Sequence, residues 1–482
     1  QNGTFTAEHV VNAAGLWARV GICLVGLELP VLAMEHMYLL TDEIPEVVEF
    51  NEQSGRELIG VIDFKGEIYT RQERNGILLG TYEKACKPWS PLTTPQDFGQ
   101  ELLSPDLDRI APSLEIGFRH FPAFEQAGIK QVINGPFTFA PDGNPLIGPV
   151  RGMTNFWSAC GVMAGFSQGG GVGLTLANWM VHGDPGFDVY GMDVARFGDW
   201  TTLRYTNAKV RENYSRRFSI RFPNEELPAG RPHQTTPLYD ILQRDRFAVM
   251  GDSWGMEAPL WFAPSQAEAH DVLSFHRSND FEHVGHEVRQ TRASVGVSDI
   301  SNFAKYAVKG SGAEAFLTQL MSNSLPPVGR MVLTPMLNQN GKLIGDFTIA
   351  RSAESHFLIW GSIAAQSYHM RWFEQHLPAD GSVTLNRFDL NLVGLTIAGP
   401  RARDVLAKLC DEDVSNDAFR FMDHRNMDVH GAPCRVNRIS YTGELGYELW
   451  MEPSWQRRVY AGIKEAGAEF DIVDFGMRAL LS

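Results

Sequence analysis

Several stretches of this sequence join residue types that could do chemistry. In Gly161-Val162-Met163-Ala164-Gly165-Phe166, running on to Gly173, six glycines fall within 13 residues. Glycines carry no Cβ, so backbone N–H groups there can approach a ligand closely. A following helix would offer its positive end to an anion or an electron-rich ring. The bland alternative is a flexible turn, though one flanked by apolar segments. The spacing is not G-x-G-x-x-G with a strand before it and an acidic partner after it, so no dinucleotide fingerprint is present. A smaller turn, Ala13-Ala14-Gly15 in "NAAGLWA", permits either cofactor approach or plain helix–strand packing. His36 in "AMEHMYLLTD" and Tyr69 in "GEIYTRQE" are candidates for handling protons, although a histidine at the edge of an apolar strand is more often a satisfied structural residue.

Two carboxylates pose a related question. Asp346 follows an Asn340-Gly341 hairpin turn in "GKLIGDFTIAR". Strand alternation puts Leu343, Gly345 and Phe347 on one face and Ile344, Asp346 and Thr348 on the other. Glu448 lies between large apolar side chains in "RISYTGELGYELWM", after the turn Thr442-Gly443-Glu444. Each carboxylate either faces solvent or binds something. If buried and unpaired, its pKa would rise, and it would suit the N–H edge of a heterocycle.

The elements that must position these groups change character along the chain. Up to about residue 190, strands and helices alternate in α/β fashion. "EHVVNAAGLWAR" reads as a buried strand (Val10, Val11), a small-residue turn and a helix start, and the glycine bend leads into an apolar helix closed by Gly183. A polar, Pro-rich passage ending in "FPNEELPAGRPHQTTP" marks a domain boundary. The rest contains an internal echo: Ala307–Leu320 and Thr396–Leu409 share a strand, a glycine, two residues, an alanine and a helix with apolar positions at i, i+3, i+4 and i+7. Gly310 matches Gly399 and Ala313 matches Ala402, which points to a duplicated half-domain.

Composition narrows the function class. At 482 residues, two or three domains are expected. A net charge of −15 argues against nucleic acid as the main partner. Five dispersed cysteines without a CxxC pair fit a reducing compartment, cytoplasm or the mitochondrial matrix of a eukaryote, and no metal site. No run approaches the roughly 18 apolar residues of a membrane span. The sequence opens at Gln1 as if in mid-domain and ends within a starting helix, as expected of a fragment cut at both ends.

Taken in order, "VVNAAGLWAR", "AMEHMYLLTD", "INGPFTFAPDGNPLIGP", the glycine bend, "LANWMVHGDPGFD", "TTPLYDILQ", "VGVSDISNFAKYAVKG", "LNQNGKLIGDFTI" and "RISYTGELGYELWM" resemble the dimethylglycine and sarcosine dehydrogenase family over essentially the whole chain. The resemblance implies an α/β FAD-dependent oxidoreductase domain over 1–188, lacking its N-terminal part, and a connecting region over 189–235. An α+β folate-binding domain like that of the glycine-cleavage aminomethyltransferase follows over 236–482, lacking its C-terminal part. It implies FAD and tetrahydrofolate as cofactors, oxidative demethylation of an N-methylated glycine, and one-carbon transfer to give 5,10-methylenetetrahydrofolate. An electron-transfer flavoprotein or oxygen would take the electrons. Matched position by position, the resemblance places Ala14, Gly15, Gly161, Val162, Met163, Ala164, Gly165 and Phe166 against the flavin, and His36 and Tyr69 in the amine pocket. It places Gly345, Asp346, Phe347, Tyr441, Glu448, Leu449 and Trp450 at the folate, with Asp346 orienting the pterin amine or relaying its proton. The Gly-rich βαβ that would hold the ADP half of FAD and the histidine used for covalent flavin attachment are absent from this sequence. Two other outcomes share the build: a non-catalytic regulator resembling the regulatory subunit of pyruvate dehydrogenase phosphatase, and a folate-dependent aminomethyltransferase with a structural flavin domain.

Overall fold

Residues 3–482 are described by the computed structural model. They form two units, 3–221 with Pro228–Gly230, and Phe222–Leu227 with Arg231–Ser482.

The first unit contains strands β1 (Val10–Asn12), β2 (Leu32–Thr41), β3 (Val61–Asp63), β4 (Ile68–Glu73), β5 (Gly76–Thr81), β6 (Ile129–Phe139), β7 (Leu146–Pro149) and β8 (Phe156–Cys160). Its helices are α1 (Ala18–Cys23), α2 (Pro45–Ser54), α3 (Leu107–His120), α4 (Gly165–His182) and α5 (Leu203–Ser215). One sheet has the order β3-β4-β5-β2-β6, the other β1-β8-β7. In the larger sheet, Met37 and Leu39 of β2 pack with Ile110 and Leu114 of α3, while Leu32 and Met34 pack with Val210 and Tyr214 of α5. This is the period-two alternation of a strand covered on both faces. α5 lies within the stretch expected to connect two domains, yet it is an integral part of the first unit. In the smaller sheet β1 and β8 run parallel, Val10 beside Phe156 and Asn12 beside Ser158. β1 lies at the sheet edge, and Val10 and Val11 are 50% and 40% exposed. The expectation of a buried strand there fails, because no described residue of this unit covers β1's outer side.

The second unit holds β9 (Ala248–Ser253), β10 (Met256–Phe262), β11 (Gly296–Asp299), β12 (Phe303–Lys309), β13 (Met331–Leu337), β14 (Leu343–Ala353), β15 (His356–Ser362), β16 (Thr384–Arg387), β17 (Val393–Ala398), β18 (His424–Val429), β19 (Ala432–Asn437), β20 (Gly446–Met451) and β21 (Val473–Asp474). Helices α6 (Tyr239–Asp245), α7 (Phe281–Ala293), α8 (Ala313–Leu320), α9 (Gln366–Gln375), α10 (Ala402–Ala407), α11 (Pro453–Gly467) and α12 (Met477–Leu480) pack around them. Two sheets dominate, β18-β19-β20-β17-β11-β21 and β13-β14-β15-β12-β16. The internal echo is a repeated structure. Gly310 and Gly399 leave β12 and β17 with φ of +117° and +122°, a region costly for any side chain. At both, the alanine three residues on donates its N–H back to the glycine carbonyl at 3.0 Å and starts a helix. Phe316, Leu317 and Leu320 then enter one core, and Val405, Leu406 and Leu409 another.

Alternation in β14 holds from Gly345 onward: Phe347 and Ile349 are buried and Asp346 is exposed. Ile344 departs from it and is buried with Phe347, because the β13–β14 register shifts by a bulge at Met336/Leu337. Among the described residues no helix is long and apolar enough to cross a membrane.

Candidate functional site

In the first unit the chemistry gathers on one face of β2. His36 lies between two phenols: Nε2 is 2.8 Å from Tyr69 Oη of β4 and Nδ1 is 2.9 Å from Tyr214 Oη of α5. Tyr214 donates to Glu83 Oε2 at 3.0 Å, just beyond the end of β5. The other Glu83 oxygen is 3.0 Å from Arg109 Nε of α3, a Coulombic contact too poorly aligned for a hydrogen bond. Arg109 also pairs with Glu35 at 3.1 Å, and Lys87 reaches Glu35 at 2.8 Å. Tyr82 packs 4.7 Å from the His36 ring, with Phe137 at 4.9 Å.

These surroundings set the protonation states. Burial, reinforced by the Arg109 charge, pushes His36 down to about 3, so the imidazole is neutral. Burial raises Tyr69, Tyr82 and Tyr214, which stay phenols. Burial also raises Glu83, against the pull of its own backbone N–H and Arg109. Burial works to raise Glu35 too, but hydrogen bonds from Lys87, Asn134 and Arg109 outweigh it and leave its pKa lowered. His36 and Tyr69 are thus brought together, as expected; Tyr82, Glu83, Arg109 and Tyr214 were not anticipated.

The glycine bend reaches the same place. Tyr82 Oη contacts Met163 Sδ at 3.9 Å, and Met163 packs against the cluster of Phe139 and Tyr214. Strands β1 and β8 end side by side, with Cys160 Sγ donating to the Asn12 carbonyl at 3.0 Å. Asn12 Oδ1 accepts from the Ala14 N–H, shaping the exposed Ala14-Gly15 turn at this carboxyl edge. Val162, Met163 and Ala164 are half-buried and Gly165 opens α4. A Cβ added at Gly165, Gly169, Gly170, Gly171 or Gly173 would meet nothing within 4 Å. Each interior glycine costs a helix about 0.5–1 kcal/mol relative to alanine, and packing within this unit does not require it. The bare stripe, with Phe166 fully exposed beside it, has the form of a surface against which a flat group is laid.

In the second unit Glu448 and Trp450 share one face of β20, while Tyr447, Leu449 and Met451 enter the core on the other. Glu448 is half-buried; its Oε2 accepts from Asn437 Nδ2 at 3.3 Å and from Trp450 Nε1 at 3.2 Å. Asn437 Oδ1 is in turn 2.8 Å from His424 Nδ1. Burial pushes Glu448 up to about 7, the two hydrogen bonds opposing. Lys305, not anticipated, is buried with Nζ donating to the Ser301 carbonyl at 2.6 Å, 5.8 Å from the Trp450 ring centre; burial brings it down to about 7 despite Asp299. Among the described residues, the buried Trp360 Nε1 and His424 Nε2 on this layer lack a protein hydrogen-bond partner. Tyr441 is exposed and packs edge-on to Phe303, whose ring also meets Trp450, so the Thr442-Gly443-Glu444 turn brings Tyr441 to the Glu448 side. Leu449 is a correction: its side chain lies in the core on the opposite face, because one step along a strand reverses direction. Gly345 and Phe347 likewise face the core beside His369, away from Asp346. Asp346 is exposed, and its carboxylate has no hydrogen bond or ion pair among the described residues.

Glu448 yields a direct expectation. A carboxyl raised in the folded state contributes stability that is complete below its unfolded value, near 4.5, and is lost as pH rises through about 7. Chemical denaturation should therefore show unit-two stability falling by up to roughly 3 kcal/mol from pH 4.5 to 8. Glu448→Gln should flatten that slope; an unchanged slope would assign it to other groups.

The chain matches three known families in succession. The FAD dependent oxidoreductase family matches residues 1–179, the FAD dependent oxidoreductase central domain 182–236, and the GCVT N-terminal domain 238–482. The chain is 38% identical to mitochondrial dimethylglycine dehydrogenase of Mus musculus, over 99% of this chain and 55% of that protein. It is 29% identical to mitochondrial sarcosine dehydrogenase of Homo sapiens, over 100% and 56%. It is 31% identical to the mitochondrial pyruvate dehydrogenase phosphatase regulatory subunit of Mus musculus, over 100% and 55%. The chain thus spans about half the length of these relatives. With an FAD dependent oxidoreductase segment leading into a GCVT N-terminal domain, the chain belongs to the dimethylglycine and sarcosine dehydrogenase family.

Proposed function

We propose that the protein of which this chain forms part oxidatively demethylates an N-methylated glycine, dimethylglycine or sarcosine, and passes the one-carbon unit to tetrahydrofolate as 5,10-methylenetetrahydrofolate. The observation that carries this reading is Tyr82, which packs on His36 and touches Met163 of the glycine bend, joining a proton-handling pocket to a bare glycine surface. When bound, FAD supplies a hydride acceptor and tetrahydrofolate an acceptor for the one-carbon unit.

The residues present fit both groups. Ala14, Gly15 and Gly161–Phe166, with the uncovered stripe of α4, would hold the flavin. Asp346, Tyr441, Glu448 and the Trp450 face would hold the pterin, where Glu448, titrating near 7, can accept or donate at a heterocycle's N–H edge. Tyr69 and neutral His36 bind and orient the amine and keep its nitrogen unprotonated, as removal of a hydride from the adjacent carbon requires. Electrons leave to an electron-transfer flavoprotein or to oxygen. The site lies in a reducing compartment, the mitochondrial matrix where the source is eukaryotic.

The alternative with a specific basis is the regulatory reading, because one relative bears that name at 31% identity. The two His36 contacts and the bare glycine stripe favour catalysis. Anaerobic titration of the full-length protein with dimethylglycine, sarcosine and longer methylamines decides between them. Bleaching of the flavin's visible absorbance is expected with an N-methylated glycine, and a flavin that no methylamine bleaches would sink the dehydrogenase reading.

A further inference from the structure

Binding a small amine needs one or two polar groups, yet four lie in line here. Tyr69, His36, Tyr214 and Glu83 are joined by consecutive contacts of 2.8, 2.9 and 3.0 Å and come from β4, β2, α5 and the end of β5. The direction of these bonds is fixed from the buried end. The Glu83 carboxylate, held beside Arg109, accepts from Tyr214; the Tyr214 oxygen is then left to accept from His36 Nδ1–H. A neutral imidazole protonated at Nδ1 has its lone pair on Nε2, which accepts from the Tyr69 hydroxyl. The Tyr69 oxygen consequently presents its free lone pairs outward. Tyr69 and His36 are half-buried, whereas Tyr214 and Glu83 are buried, so the line runs from an accessible end to a closed one.

We propose that Tyr69, His36, Tyr214 and Glu83 form a directed proton path that accepts the proton of a substrate ammonium at Tyr69 Oη and delivers a proton to the Glu83 carboxylate. The step moves no electrons. The ammonium N–H bond breaks and leaves its pair on nitrogen; Tyr69 Oη gains that proton as its own passes to Nε2; the Nδ1 proton passes to Tyr214 Oη, and the Tyr214 proton to Glu83 Oε2. Both phenols and the imidazole end neutral, and His36 ends as the Nε2–H tautomer. The net change is one ammonium becoming an amine and one carboxylate becoming a carboxylic acid. Neither phenol has to ionise, which suits a setting where burial disfavours tyrosinate. Burial likewise favours the protonated form of the receiving carboxyl. Besides Arg109, the titratable or charged groups facing the path include Tyr38, Arg71, Tyr82, Cys86, Arg217 and Glu35.

The path rests on the amine-oxidation reading, and its test separates the two. Nitrogen NMR of the full-length protein labelled at histidine, without substrate, should find His36 as the Nδ1–H tautomer from about pH 5 to 9. In Tyr214→Phe the population should shift toward Nε2–H. In stopped-flow reduction by dimethylglycine, Tyr214→Phe and Glu83→Gln should each slow the reaction about tenfold at neutral pH. Both should regain the wild-type rate above the amine's own pKa, where solution supplies neutral amine. Infrared difference spectra on reduction should show a protonated carboxyl band that Glu83→Gln lacks. Equal slowing at every pH with an unchanged tautomer would mean that these residues only pack, and would overturn the path. A wild-type flavin that no methylamine reduces would remove the amine-oxidation reading and the path with it, a failure distinguished by the substrate-free tautomer.

Discussion

Arg109→Met should cost the first unit about 3–5 kcal/mol, because it removes the cation between two buried carboxylates, Glu83 and Glu35, of which Glu35 keeps only Lys87. Methionine keeps most of the side-chain volume, so the loss is electrostatic rather than a cavity. In thermal unfolding the midpoint should drop by about 10 °C for a unit of this size. The pH dependence gives the signature. Glu35, whose folded pKa is lowered, contributes stability above its unfolded value near 4.5 and loses it as pH falls through the lower folded value. Glu83, raised even in the wild type, works in the opposite sense: its contribution is complete below 4.5 and is lost as pH rises. Removing the cation shifts both carboxyls upward, so the variant should gain stability on acidification from neutral pH and approach the wild type near pH 5. Adding Glu83→Gln to the variant should recover part of the loss at neutral pH, since the charge that had only Arg109 beside it is gone. A difference from wild type that is constant from pH 5 to 8 would refute this account and point to lost packing.

The sequence exposed some of these residues and concealed others for physical reasons. Gly310 and Gly399 were legible because a positive-φ turn followed by a helix leaves a fixed local pattern, and both turns recur in the structure. His36 and Tyr69 could be singled out on β-prone runs, with the family resemblance needed to favour them over ordinary packing. Tyr214 is 178 residues from His36 on a helix of mixed polarity, and no periodicity joins such a pair. The nearest available signal for Glu83 was the Tyr82-Glu83 pair directly after a strand. Arg109 sits on an amphipathic helix, where an arginine ordinarily faces water. Lys305 was concealed differently: it alternates with Ala304 and Tyr306 on a strand buried on both faces, so alternation could not mark it as polar-out. Errors came where a neighbour changes a strand's surroundings. Val10 and Val11 are apolar yet exposed at a sheet edge, Ile344 is turned inward beside a bulge, and Leu449 follows the alternation that separates it from Glu448. In each case the residue type was right for a strand and the missing quantity was what packs on it.

Asp346→Asn should leave flavin reduction by a methylamine within about twofold of wild type while lowering the yield of methylenetetrahydrofolate about 10²-fold. The side chain occupies the face of β14 shared with Thr348 and Ala350, and Ala350 packs into the layer of Trp360 and Trp450 that borders Glu448. Its strand partner Pro335 has no N–H, and Asp346 itself is engaged by no side chain or backbone donor among the described residues. A carboxylate so placed adds little to stability, and its substitution should alter the folding free energy by less than about 0.5 kcal/mol. What it offers is a free proton acceptor at the rim of a layer whose other carboxyl, Glu448, is already bound to Asn437 and Trp450. Asparagine keeps the shape and a hydrogen-bonding head but cannot take up a proton, so the variant separates orientation from proton relay. If Asp346 relays the proton of the pterin amine, formaldehyde should appear in step with amine oxidation despite saturating tetrahydrofolate, and raising the folate concentration should not restore capture. If it only orients the ring, excess folate should restore most of the yield, because a weakened interaction raises KM and leaves the bound rate intact. An unchanged yield at limiting folate would remove Asp346 from the chemistry altogether and leave Glu448 as the carboxyl that meets the pterin.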